Sequence, residues 1–189
     1  LELGSDIGGS LRNPAHYCGV FAHKPSYGLL PVRGHVPPGI QAIPSEVDLL
    51  AIGPMARTAA DLALALDILA GPDRPQAMAY RLALPDARQS ELKQFRVLVI
   101  DEHPLLPTSR DVHGALERMV EKIIKAGVKV VRSSPLVPDL ALQGRTFARL
   151  LNSVFGTDIH EGRYARLRDV AKSIPSTDSS CNRVRSAIE

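Results

Sequence analysis

Phe95-Arg96-Val97-Leu98-Val99-Ile100, then Asp111 to Ala126, then Val128-Lys129-Val130-Val131 is the stretch that decides the fold class. The first run is apolar and β-branched and reads as a strand. From Asp111 to Ala126, apolar residues recur at Val112, Ala115, Leu116, Met119, Val120, Ile123 and Ile124, spacings of three and four that make one helix face. Gly127 fits the C-terminal turn of that helix, and the valine-rich run after it reads as a second strand. Strand, helix and strand in this order form a βαβ unit, which implies a parallel pair joined by a right-handed crossover. The class is therefore α/β.

Outward from this unit the pattern extends in both directions. Leu140 to Phe155 predicts a third helix and Ala165 to Ala171 a shorter fourth, while the Ser and Thr residues after Ser173 show no period. On the N-terminal side, Gly71 to Glu91 is rich in Pro, Arg and Gln and reads as a surface excursion. Before it, Thr58 to Ala70 is built of strong helix formers. Thr58 with Asp61 three residues on resembles a capping box with Asp in place of Glu, and Gly71-Pro72 supplies the stop. Leu and Ala fall on nearly every side of this helix, so it is expected to lie buried between layers. From Gly4 to Gly39 the chain is punctuated by Pro14, Pro25, Pro31, Pro37 and Pro38 and reads as loop and short strand.

The 189 residues are 44% apolar and 23% charged, a globular composition with room for one sizeable core. Lys and Arg number 23 against 20 Asp and Glu, a formal charge of +3, and Trp is absent. That small surplus, without clustered aromatic platforms, argues against nucleic-acid binding. Two cysteines, Cys18 and Cys181, make no disulfide framework and no zinc-type spacing, which suits a reducing compartment such as the cytoplasm. No run approaches the roughly 18 apolar residues of a membrane span. The chain opens on Leu1-Glu2-Leu3 without an initiator Met or a signal-peptide pattern, so it is expected to be the interior of a longer protein.

Chemistry is concentrated in Gly4-Ser5-Asp6-Ile7-Gly8-Gly9-Ser10-Leu11-Arg12-Asn13-Pro14-Ala15. Adjacent glycines allow backbone conformations in which successive N–H groups converge on one small anion. Spacing alone leaves three readings open: a nucleophile, Ser10, beside an oxyanion hole made by the amides of Ile7, Gly8, Gly9 and Ser10; a phosphate cradle; or a plain turn. A P-loop is excluded because no Gly-Lys-Ser/Thr follows. Asp6 and Arg12 flank the glycines and are expected to pair and support the loop.

The whole run resembles the core of the amidase signature family. Gly4 to Ala15 is followed by Cys18-Gly19-Val20 and Lys24-Pro25-Ser26-Tyr27-Gly28, and then by Gly53-Pro54-Met55-Ala56-Arg57 leading into the Leu/Ala helix and Leu69-Ala70-Gly71. The resemblance is specific from Gly4 to about Gly71 and looser over Phe95 to Val131. It implies an α/β/α sandwich around a mixed central sheet, present here in part: one partial domain over residues 1–189, with a catalytic-loop segment at 1–71 and a βαβ and helical segment at 95–172. It also implies hydrolysis of a carboxylic amide, in the class of linear amides, through an acyl-serine on Ser10, with the amides of Ile7 to Ser10 as oxyanion hole and no metal or organic cofactor. The other members of the family's Ser-Ser-Lys triad, a lysine and a second serine, lie N-terminal to this motif, so these residues alone are expected to be inactive or nearly so. Lys24 cannot take that role, because the matching Lys-Pro lysine has no catalytic assignment. A small-molecule amide is the expected partner, with neither nucleic acid nor membrane, and with a homodimer as an assembly to test for.

Other readings compete with this one. A Ser10/His23/Asp6 triad is ordinary chemistry, but the resemblance assigns the base elsewhere. His23, with His16, His35, Pro37 and Pro38, marks a subgroup whose substrate the sequence does not state. Cys18 is expected to be a small buried residue, and Ser5 and Ser26 show only turn chemistry. Asp101-Glu102-His103-Pro104 after the Val-rich strand looks like the opening of a response-regulator receiver, although Asp139 precedes an apolar run where a receiver needs its aspartate to follow one. A noncatalytic partner-docking segment and a glutaminase component of a transamidation complex complete the alternatives. Arg163, Arg166 and Arg168 with Glu161 and Asp169 read as a charged helix face.

Overall fold

The computed structural model describes residues 1–36, 47–156 and 161–175. Pro37, Pro38, Gly39 and Cys181, named above, lie outside the described residues, as do the Ser and Thr residues beyond Pro175. The chain forms two compact units, Leu1–Leu84 and Pro85–Glu189, and both mix helices with strands.

In the first unit, β1 (Glu2–Asp6), β2 (Phe21–Ala22) and β3 (Ala51–Ala56) form an antiparallel sheet in the order β1-β3-β2. The register places Gly4 opposite Gly53 and Asp6 opposite Ala51. Two elements here go beyond the sequence pattern. Helix α1 (Arg12–Cys18) follows the glycine run directly, because Pro14 falls within the first turn, where its missing N–H has no helical partner to lose. Strand β3 is central although it contains Pro54, a residue that cannot donate to a ladder. Pro54 is fully buried and serves as an acceptor instead, its carbonyl receiving the His23 N–H at 3.0 Å. Gly53 beside it is required for space: a Cβ there would collide with the His23 carbonyl. Leu11 is completely buried, with Ala15, Leu30, Ala51, Ile52, Ala56 and Ala65 also in the core.

Helix α2 (Ala59–Leu69) packs on β3 and β2. Its N-cap is Thr58, whose Oγ1 accepts from the Asp61 N–H at 3.1 Å and donates to Asp61 Oδ2 at 2.8 Å. The Asp side chain thus reaches the cap hydroxyl, since it is one methylene shorter than the Glu of a full capping box. Burial on all sides is not observed. Ala65 is buried, but Leu64 is 57% and Ile68 71% exposed, because β3 and β2 cover one face of the helix and leave the other bare.

The second unit contains the expected βαβ unit. Strands β4 (Arg96–Leu98) and β5 (Lys129–Val131) pair in parallel, Arg96 opposite Lys129, and α3 (Arg110–Lys125) joins them. Ser109 caps α3 by accepting from the Val112 N–H, and Gly127 ends it at φ 86°. Helices α4 (Leu140–Gly156) and α5 (Glu161–Ser173) follow. Val99, Val120 and Val128 are the buried apolar residues described in this unit. Most of 72–94 is exposed, as its composition predicts, with short 3₁₀ turns at Gln76–Met78 and Leu92–Gln94.

Candidate active site

The glycine run connects the end of β1 to the start of α1, and Asp6 organises it. Its carboxylate is 1% exposed and accepts five N–H donors: Gly9 N at 2.7 Å on Oδ1, Leu11 N at 3.1 Å and Arg12 N at 3.4 Å on Oδ2, and the Arg12 guanidinium through Nε at 3.0 Å and Nη2 at 2.9 Å. Burial opposes ionisation of Asp6, but the Arg12 hydrogen bond and the three backbone amides outweigh it and hold the carboxyl well below the usual carboxylate range. In return the Asp6 hydrogen bond raises the Arg12 guanidinium above its ordinary value. A charged aspartate therefore bends the loop back on itself, and the fork geometry of arginine suits a two-point grip.

Gly9 sits at φ 114°, in the region L side chains avoid, and a Cβ on it would press on the Asn13 amide at 2.9 Å. Its carbonyl accepts the Asn13 N–H at 2.8 Å and so starts α1. Ser10 is exposed at the tip of the loop, one residue beyond Gly9. Among the described residues, the N–H groups of Ile7, Gly8 and Ser10 have no intramolecular acceptor. That of Gly9, one of the four amides named from the sequence, donates to Asp6 Oδ1.

His23, Asp6 and Ser10 do not assemble as a triad. Both Asp6 oxygens are occupied, and no hydrogen bond joins the His23 ring to Asp6 or Ser10 among the described residues. Lys24 Nζ donates to the Pro25 carbonyl at 2.9 Å. Cys18 is an exposed free thiol and not a buried residue: it ends α1 on the solvent side, next to Tyr17, itself 85% exposed. One contact has no sequence signal. His35 Nε2 lies 2.8 Å from Ser5 Oγ, across 30 residues of chain.

In the second unit, Asp101, His113 and Glu117 bring three ligand-type atoms within 4.8 Å of one another. Arg132 already serves as their cation, donating to Asp101 Oδ2 at 2.7 Å and to Glu117 at 2.6 and 2.8 Å. Asp139 caps α4 by accepting from the Leu142 N–H at 2.9 Å. With Asp101 paired to arginine and Asp139 at a helix start, the receiver arrangement is not formed.

Comparison with known proteins gives the family of the chain. The family model described as "Amidase" matches residues 1–180. A glutamyl-tRNA(Gln) amidotransferase chain of Thermosynechococcus vestitus is 38% identical over 135 residues, 70% of this chain and 27% of that protein. Its Thermus thermophilus counterpart is 39% identical over 132 residues, 69% of this chain and 26% of that protein. Both are named as subunits of that amidotransferase. Among solved structures, fatty acid amide hydrolase superposes with a TM-score of 0.64 at 29% identity, over 79% of this chain and 26% of that one. The 6-aminohexanoate cyclic dimer hydrolase shares the fold at a TM-score of 0.59, with 97% of this chain and 41% of that chain covered. The sequence thus spans about a quarter of the length of the curated relatives it matches.

Proposed function

The chain belongs to the amidase family, and from that premise we propose that it carries the acyl-accepting loop of an amide hydrolase, with Ser10 as nucleophile. The observation that carries this reading is the Asp6 clamp: one buried carboxylate fixes Gly9, Leu11 and Arg12, and leaves the exposed Ser10 beside three amides without acceptors. Ser10 Oγ attacks the amide carbonyl, and the developing oxyanion is taken by the N–H groups of Ile7, Gly8 and Ser10. Removing one such donor typically costs about 10²–10³ in rate. The amine or ammonia leaves, and water then releases the acid. Base assistance, worth about 10²–10⁴, comes from the lysine and second serine that the family resemblance places upstream of Gly4. Asp6 and Arg12 support the loop without touching substrate. No step calls on a metal or organic cofactor, and a cytoplasmic location suits the reading.

A second reading is favoured by the relatives named as amidotransferase subunits: the same loop would release ammonia from glutamine inside an assembly with partner subunits. The two separate in one experiment on the full-length protein. Rapid acid quench with an aryl or alkyl amide should leave the acyl group on the peptide carrying Ser10. Acylation by glutamine alone, with no turnover of simple amides, would favour the transamidation reading. Amide turnover without any acylated Ser10 would remove both.

A further inference from the structure

Ser5 is a strand residue with no motif of its own, yet it is the hydroxyl for which the structure provides a base. His35 Nε2 lies 2.8 Å from Ser5 Oγ. The ring is placed by its own turn: Gly34 adopts φ 82°, the His35 N–H returns to the Val32 carbonyl at 3.0 Å, and Arg33 in the same turn pairs with Asp73. With the ring proton on Nδ1, the Nε2 lone pair accepts the Ser5 O–H, which is the polarity of a hydroxyl held by a general base. His35 is exposed and Ser5 half-buried, so a small acyl donor can reach the pair. Ser5 also lies two and three residues before the Ile7 and Gly8 amides that lack intramolecular acceptors.

We propose that Ser5 and His35 form a second hydroxyl–imidazole pair, separate from Ser10, that accepts acyl groups from small activated esters. The proton of Ser5 Oγ passes to His35 Nε2 as Oγ bonds to the acyl carbon. The bond from that carbon to the aryloxide breaks, and the phenol leaves with the proton from the imidazole. Water, deprotonated by the same nitrogen, then hydrolyses the acyl-serine and restores the pair. An unactivated amide has too poor a leaving group for a pair without a dedicated oxyanion hole, so the activity is esterolytic. It does not depend on the role given to Ser10.

The test uses the full-length protein carrying Ser10→Ala, with p-nitrophenyl acetate as probe and peptide mass spectrometry as readout. Acetyl should appear on Ser5. The rate of p-nitrophenol release should fall about 10²–10⁴-fold in Ser10→Ala/His35→Gln, where glutamine can still hold the hydroxyl but cannot take its proton. It should fall as far in Ser10→Ala/Ser5→Ala. Each variant is checked for an unchanged thermal transition, and one that unfolds is replaced by Ser5→Val, which suits a strand and carries no hydroxyl, or by His35→Asn. An unmodified Ser5, or equal release with glutamine at position 35, overturns the proposal. Loss of amide hydrolysis in Ser10→Ala with Ser5 acetylation retained supports both assignments. Amide hydrolysis retained with Ser5 acetylated removes only that of Ser10.

Discussion

Asp6 with Arg12 in the first unit, and Asp101 and Glu117 with Arg132 in the second, are both arginine–carboxylate clusters, with shortest N···O distances of 2.9 Å and 2.6 Å. By distance the second is the tighter. By environment it is the weaker, because both of its carboxylates are partly open to solvent where that of Asp6 is closed off, so Coulomb attraction is screened and ordering long side chains offsets much of the gain. The Asp6 carboxylate is buried and satisfies three backbone amides besides the guanidinium, so the cluster fixes main chain as well as side chain. A salt bridge shapes a loop when its anion also terminates backbone N–H groups, whereas the shorter, partly exposed network joins side chains alone.

The largest effect expected from this contrast is that of Asp6→Ala. It removes the buried acceptor of Gly9, Leu11 and Arg12 and should cost about 3–5 kcal/mol, read as a lower denaturant midpoint, together with loss of amide hydrolysis. If stability were instead unchanged, the loop would hold its shape without the clamp. Gly9→Val comes next: a β-branched residue at φ 114° and against Asn13 should cost about 1–3 kcal/mol and eliminate activity by turning the neighbouring amides. Normal turnover in that variant would show that the amides are not aimed by Gly9.

Acid titration distinguishes the clusters more finely. The folded-state pKa of Asp6 lies below the unfolded value, about 3.9, so its contribution to stability is complete above that pH and fades as pH falls through the acid range. Wild type should therefore lose stability more steeply than Asp6→Asn below about pH 5. Parallel curves for the two proteins would deny the clamp its charge. At the small end, Arg132→Ala should leave the thermal midpoint within experimental error, as expected of a solvated ion network. A large drop there would invert the comparison.

The two units also differ in how much of them the sequence disclosed. Helices α2, α3 and α4 and strands β4 and β5 follow from apolar period and end signals such as Thr58, Gly71 and Gly127, which act within a few residues. Helix α1 and strand β3 do not, because Pro14 and Gly53-Pro54 carry the punctuation of loops; the Gly9 carbonyl starts the helix and contacts with the His23 backbone hold the strand. The same division runs through the site. Ser10 and its glycines form a contiguous motif and could be read directly. The commitment of the Gly9 amide to Asp6 depends on a loop closing on itself, and the approach of His35 to Ser5 on a fold that spans 30 residues. The exposed outer face of α2, with Leu64 and Ile68, shows the converse limit: composition predicts burial but does not say which layer supplies it.

The central claim is that the clamp presents Ser10 as the residue acylated by amides. The direct measurement is steady-state amide hydrolysis by the full-length protein with Ser10→Ala, alongside its thermal transition. The loss of an exposed hydroxyl should leave the transition in place while turnover falls to the rate of the buffer control. Turnover near that of the wild type in a folded Ser10→Ala protein would contradict the account.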